Sequence, residues 1–317
     1  MGMHAVPEFE CTVVTRSDEV DGVAVFELAR ADAPLPDWTP GAHIDVILPS
    51  GLVRQYSLCG PVDAPTWQIA VLRDPESRGG SSWLFDVLEP GATLKVAGPR
   101  NHFEFAGTGG VPVRFIGGGI GITPLIPMAT AAKAQGLDYE VHYAGRPGHR
   151  AFEAALRAEH GDRLVTHSSM EATRLDLAAL VASSRVGTAV YCCGPASLID
   201  DAERRSTMRG LDFHAERFEA LELSAPVWDD VFEVELAASG VTVSVPQDRS
   251  ILEVVEEAGV IALSSCSEGT CGTCETVVVE GEIDHRDSIL NATQRARNEV
   301  MYICVSRAAC PRIVLDL

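Results

Sequence analysis

Four cysteines near the end of the chain, Cys266, Cys271, Cys274 and Cys304, have the types and spacing to do chemistry. Three of them read C-x4-C-x2-C and the fourth follows far downstream, which is the ligand spacing of a plant-type [2Fe–2S] cluster. Three thiolates on one tight loop can wrap a small cluster while a fourth closes it from another strand. Gly269 and Gly272 stand between the ligands, where glycine permits positive φ and lets backbone N–H groups approach the bridging sulfides. A structural zinc site would pair two C-x2-C knuckles, and only one is present. Disulfides are the other alternative. The opening MGMHAVPEFECTVV has neither a basic segment nor an apolar run, and the total of nine cysteines is odd, so a reducing, cytoplasmic setting is expected. A two-iron centre moves one electron at a time.

Other residues suggest what feeds it. Arg54, Tyr56 and Ser57 form R-x-Y-S in a stretch that reads as a strand, and alternation puts Arg54 and Tyr56 on one face. An aromatic plate beside a guanidinium suits a flat isoalloxazine with a phosphate tail, although the same pair on a barrel rim is ordinary surface. Gly79, Gly80, Ser81 and Ser82 precede a helical stretch, a place for an anion cradle of backbone N–H groups or for a plain N-cap. Further on, the strand VRFIGGG runs into GITPLIPM. Gly117, Gly118, Gly119 and Gly121 permit close approach to a pyrophosphate, and Thr123 is expected to cap the next helix. This is not G-x-G-x-x-G, because Ile122 stands where its third glycine would be. Cys193-Gly194-Pro195 follows the strand AVYC and offers a floor for a nicotinamide; alone it reads equally as a buried cysteine in a tight turn.

Three textures of sequence must position these groups. Up to residue 106, short alternating runs broken by Gly and Pro predict an antiparallel barrel or sandwich. Over 107–222, strands alternate with helices, which predicts βαβ units on a parallel sheet with ligands at the strands' C-terminal ends. A linker near 219–228 leads to a small mixed α+β unit over 229–317, whose helix SILEVVEEAG is capped by Ser250 and ended by Gly259. The formal charge of −20 argues against nucleic-acid binding. No apolar stretch approaches the roughly 20 residues of a membrane span. An acidic chain can be steered onto a basic partner, or its charge can serve solubility alone.

The order RQYSLCG, SRGGSS, GGGIGITP, YCCGPASL and CSEGTCGTC, with Cys304 in ICVSRA, resembles the phthalate dioxygenase reductase family over nearly the whole chain. These are flavin-first, nicotinamide-second, ferredoxin-last reductases of Rieske-type oxygenases, similar in their first two domains to ferredoxin–NADP reductase. The resemblance implies a multidomain fold: an antiparallel β-barrel flavin domain, an α/β parallel-sheet nucleotide domain and an α+β (β-grasp) plant-type ferredoxin domain. It implies FMN held by Arg54, Tyr56 and Ser57, lined by Ala70, Val71, Leu72 and Arg73, with its phosphate on Gly80, Ser81 and Ser82. It places the nicotinamide nucleotide on Gly118, Gly119, Ile120, Gly121, Ile122 and Thr123 and on Cys193, Gly194 and Pro195. Phe218, in HAERF, would cover the other flavin face. With no adenine-binding segment evident, FMN is expected rather than FAD.

NADH is the expected donor. The acidic residue that NADH-preferring members offer near the ribose is replaced in THSSM by Ser168 and Ser169, and Arg146 and Arg150 lie near the preceding strand end, so NADPH is the alternative. The expected function is a relay from NAD(P)H through FMN and the cluster to a Rieske-type terminal oxygenase, with no nucleic-acid or membrane partner and no acid–base dyad. His285 reads as structural. The competing reading is an electron-carrier or redox-sensing iron–sulfur protein without NAD(P)H oxidation.

Overall fold

The alternating runs of the first hundred residues fold as antiparallel strands because each has one apolar face to bury. A computed structural model describes residues 7–74, 79–105, 109–168 and 174–317. In it β1 (Glu8–Val20), β2 (Val23–Ala29), β3 (His43–Ile47), β4 (Val53–Ser57), β5 (Trp67–Leu72) and β6 (Thr93–Arg100) lie in the order β4-β3-β6-β1-β2-β5. A bridge between Leu58 and Ile69 joins the two ends and closes the sheet into a barrel. Phe26, Ile44, Leu58, Trp67 and Ile69 fill its interior. One helix, α1 (Gly80–Val87), buries Leu84 against it.

The second texture gives a parallel sheet of β7 (Val113–Gly118), β8 (Tyr139–Ala144), β9 (Leu164–His167), β10 (Ala189–Cys193) and β11 (Asp212–Glu216), ordered β11-β10-β7-β8-β9. Parallel neighbours need crossovers. These run through α2 (Leu125–Ala134), α3 (Glu153–His160), α4 (Leu177–Ser183) and α5 (Ala196–Arg209). Both faces are therefore apolar, with Phe115, Val141 and Tyr191 on one and Ile116, Val190 and Cys192 on the other. The first face shares its core with Val23, Val25, Cys59 and Ala70 of the barrel region.

The terminal part is a mixed sheet, β13-β12-β18-β14-β16, built from β12 (Phe232–Leu236), β13 (Val241–Val245), β14 (Glu275–Glu280), β16 (Val300–Tyr302) and β18 (Arg312–Leu315). Only β12 and β18 pair in parallel. A two-stranded ribbon of β15 (Ile283–Asp284) and β17 (Arg307–Ala308) accompanies it, with a short helix α7 (Ala292–Arg295). The helix α6 (Ile251–Glu257) is held by a reciprocal capping box between Ser250 and Glu253, and Gly259 follows it at φ +81°. The barrel, the parallel sheet and the mixed α+β unit are the architecture the sequence predicts.

By packing, the chain divides between Glu216 and Arg217. The segment read as a linker thus packs with the terminal unit. The expected division at 106/107 lies outside the described residues, as does Ser169. No helix among the described residues is long and apolar enough to cross a membrane.

Candidate functional site

On the barrel, β4 pairs with β3 so that Tyr56 faces Ile44 and Arg54 faces Val46 in register, leaving Arg54 and Tyr56 on one side of the strand. Tyr56 packs on the barrel core, and burial pushes its phenol up, so the ring stays neutral. Arg54 crosses to the start of α1: a Cβ on Gly80 would come to 2.7 Å from its Nε. Gly79 at φ +97° turns the chain into that helix, whose first turn carries no acidic residue. A guanidinium against helix-start N–H groups, with only hydrogen where a side chain would stand, fits a phosphate. Ser81 accepts a hydrogen bond from the Asp74 N–H at 3.3 Å, and Ser82 lies beside it in the first turn.

The second barrel element is less open. Val71 and Ala70 are buried in separate cores, leaving Leu72 and Arg73 exposed. The guanidinium of Arg73 forms a two-bond pair with Asp86 at 2.9 and 3.0 Å. Any part that Ala70 and Val71 play toward a flavin falls to their backbone.

On the parallel sheet, β7 ends in a 3-10 turn over Gly119–Ile122 before α2. That turn overturns the expected cap. The Thr123 hydroxyl donates to the Ile120 carbonyl at 2.9 Å, and Pro124 occupies the N-cap position of α2, which has no side-chain cap. The glycines are required here. A Cβ on Gly121 would stand 2.5 Å from the Cys193 backbone, and one on Gly118 would stand 2.8 Å from Pro195. The two nucleotide segments read separately from sequence therefore meet backbone to backbone. Cys193 is fully buried, and burial, reinforced by nearby Glu216, holds its thiol well above the usual range.

Sequence reasoning missed Glu216 and His43. Glu216 ends β11, in register with Cys193, and accepts a hydrogen bond from the Ser57 hydroxyl at 3.3 Å. Burial raises its carboxyl to about 8, against the smaller opposing effect of that bond. His43, the register partner of Ser57, brings Nδ1 to 3.8 Å from Glu216 Oε1. The flavin-type strand and the nucleotide-type strand ends thus converge on one buried carboxyl. A Glu and a His on strands carry no local signature; the signal was only that HAERF places an acid at a sheet's C-terminal edge.

In the stretch read from sequence as facing a ribose, Ser168 is buried after β9. Arg150 turns to Glu153 at 2.7 Å and to the Gly145 carbonyl, leaving Arg146 as the exposed cation of the pair.

In the terminal unit the thiols form a run, Cys271–Cys266–Cys304–Cys274, each within hydrogen-bonding reach of the next. Their shared hydrogen bonds hold Cys266 and Cys274 low and push Cys271 and Cys304 up, the signature of thiols close enough to share protons; iron binds all four as thiolates. A [2Fe–2S] cluster spreads four cysteine ligands over two irons. Gly269 (φ +72°), Gly272 (φ +78°) and Ser267 (φ +57°) bend the loop, and the Glu268 N–H donates to Cys266 Sγ at 3.3 Å. Cys271, Cys274 and Cys304 are buried and Cys266 is partly exposed. Phe218, just past β11, is 44% exposed.

Comparison with known proteins agrees with this geometry. Residues 234–309 match the 2Fe-2S iron-sulfur cluster binding domain. The chain is 41% identical to phenoxybenzoate dioxygenase subunit beta of Ectopseudomonas oleovorans, over 94% of this chain and 93% of that one. It is 38% identical to vanillate O-demethylase oxidoreductase of Pseudomonas putida, over 97% and 99%. The solved phthalate dioxygenase reductase, described as a modular structure for electron transfer from pyridine nucleotides to [2Fe-2S], superposes with a TM-score of 0.68 at 34% identity, over 98% of both chains. With a barrel, a parallel sheet and a four-cysteine loop in that order, this chain belongs to the phthalate dioxygenase reductase family.

Proposed function

We propose that this protein is the NADH-dependent reductase component of an oxygenase or demethylase system, carrying FMN and a [2Fe–2S] cluster and delivering electrons to a Rieske-type terminal oxygenase in the cytoplasm. The observation that carries the reading is the Ser57–Glu216 hydrogen bond. It ties the R-x-Y-S strand to the sheet edge where Gly118, Gly121, Cys193 and Gly194 meet, so one buried place serves both a flavin and a nicotinamide.

Bound FMN would supply the conversion between two-electron hydride acceptance and one-electron release. Overall, one NADH becomes NAD+, two one-electron acceptors are reduced and one proton is released. The chain's own residues do the rest. Arg54 and the start of α1, with Gly80, Ser81 and Ser82, hold the phosphate, and Tyr56 lies along the ring. Gly118 to Thr123 and Cys193 to Pro195 hold the nucleotide, with Arg146 the group that would admit NADPH. Glu216, mostly protonated below about 8 and accepting the Ser57 hydroxyl at Oε2, is placed to pass the proton on: it gives up its own proton to solvent and takes up the one released. Cys266, Cys271, Cys274 and Cys304 ligate the irons, and Phe218 is proposed to cover the flavin. The functional modules run over 1–106, 107–222 and 229–317.

Anaerobic mixing of the purified holoprotein with NADH tests this. The flavin absorbance bleaches first and the iron–sulfur bands follow. A flavin that NADH does not bleach would leave a carrier or sensor, and the reductase reading fails.

A further inference from the structure

Near its end β1 carries one residue more than β2 can match. Asp18 pairs with Ala24 and Val20 with Val23, so Glu19 is the extra residue of a β-bulge. A bulge re-aims the side chain it displaces. Here the Glu19 carboxylate accepts a hydrogen bond at 2.8 Å from the Phe152 N–H, 133 positions away at the start of α3. Phe152 is the N-cap of that helix, and its side chain joins the core that barrel and parallel sheet share. It sits at φ +61°, ψ +9°, in the left-handed region that a bulky side chain disfavours. The chain between β8 and Phe152 is a turn fastened at both ends. At its start the Gly145 N–H donates to the His167 carbonyl of β9 at 3.0 Å, and Arg150 donates to the Gly145 carbonyl at 3.2 Å. At its finish stands the bond to Glu19. Between these ends residues 146–149 are exposed, and the His149 N–H donates to the Arg146 carbonyl at 3.1 Å. Glu19, Arg150 and Glu153 all act electrostatically on the buried Tyr143 phenol, so the barrel carboxylate and the turn share one neighbourhood.

We propose that Glu19 is a positioning residue for the pyridine nucleotide: from the barrel it holds the 145–152 turn, and Arg146 with it, at the C-terminal end of β8, where a parallel sheet takes its ligand. The inference rests on the reading of that sheet edge as the NAD(P)H site. Holding is needed because Phe152 does not favour its own conformation. Once the acceptor is gone, the residue relaxes toward ordinary negative φ and displaces the turn that precedes it. A ligand that binds only the held form then binds more weakly in proportion to the fraction still held. Glu19 is exposed, so its bond has the modest worth of one that water can replace, and release weakens nucleotide binding about fivefold. Glu19 acts through Phe152 and the turn, so the hydride step keeps its rate once the nucleotide is seated.

The test compares the unaltered holoprotein with Glu19→Ala, which removes the acceptor, and Glu19→Gln, whose amide oxygen keeps one. Hydrogen exchange reads the Phe152 amide directly. Calorimetry reads NAD+ binding to the oxidised holoprotein. Stopped-flow with NADH separates the concentration that gives half-maximal flavin bleaching from the limiting rate. The expected result is a protected Phe152 amide in the unaltered protein and in Glu19→Gln, with protection falling about fivefold in Glu19→Ala. NAD+ affinity falls, and the half-maximal NADH concentration rises, by about the same factor in Glu19→Ala alone, while the limiting rate stays put. An exchange-exposed Phe152 amide in the unaltered protein, or unchanged NAD+ affinity in Glu19→Ala, would overturn the proposal. So would equal losses in Glu19→Ala and Glu19→Gln, or a slowed limiting rate, which marks general damage. Failure of the underlying reading shows already in the unaltered protein, which then binds no NAD+ and is not bleached by NADH, whatever the Phe152 amide does.

Discussion

Ser57 donates to Glu216 across 3.3 Å, joining the last residue of β4 to the last residue of β11. The two lie 159 positions apart in the chain, yet both end strands whose neighbours carry the candidate cofactor groups. Burial pushes the carboxyl up to about 8 and keeps it mostly neutral at moderate pH.

That titration gives the first prediction. The folded-state value near 8 lies above the ordinary 4.5, so the native protein binds more protons than the unfolded chain between those limits. The neutral carboxyl's contribution is whole below pH 4.5 and is lost as pH rises through 8. Glu216→Gln removes that dependence. Melting temperatures of the two proteins across pH 5–9 should diverge, the variant gaining on the parent as pH rises; parallel curves would exclude a buried neutral Glu216.

Arg54 should govern flavin retention. Removing a charged donor from a phosphate costs about 2 kcal/mol, or roughly thirtyfold in affinity. Fluorescence titration of the apoprotein with FMN should show that loss in Arg54→Ala, with partial recovery in Arg54→Lys, which keeps the charge and loses the fork. Equal affinities in all three would remove Arg54 from the site.

Two glycines should fail in different ways. In Gly121→Ala the new methyl meets the Cys193 backbone at 2.5 Å, which cannot give way, and a cost of about 1–3 kcal/mol is expected. In Gly80→Ala the obstacle is the flexible end of Arg54. Thermal unfolding should register the first and barely the second, whereas FMN affinity should fall in the second. If Gly121→Ala melts with the parent, the close approach of the two segments is wrong.

Cys271→Ser should erase the visible iron–sulfur bands and leave flavin bleaching by NADH at its normal rate, since the thiol run lies in the terminal unit and Glu216 in the other. Loss of both signals would contradict separable stages.

Legibility followed locality. The cysteine loop spans nine residues, and its bends follow from the glycines between the ligands, so spacing alone exposed it. The capping box of α6 was equally local, as Ser250 and Glu253 sit three apart. Thr123 misled because a cap is inferred by assuming that helix follows strand directly, and an intervening 3-10 turn gave its hydroxyl a nearer acceptor. The pairing of Arg73 with Asp86, thirteen positions on, is equally invisible to local spacing. Glu216 and His43 were invisible because their meaning comes from three strands meeting.

The core shared by Val23, Val25, Cys59 and Ala70 with Phe115, Tyr143 and Tyr191 has a thermodynamic consequence. Barrel and parallel sheet cannot melt separately without exposing that common interior to water, so they should unfold as one cooperative block. Scanning calorimetry of this three-module chain should therefore resolve two heat-absorption peaks, the larger belonging to the first two modules together.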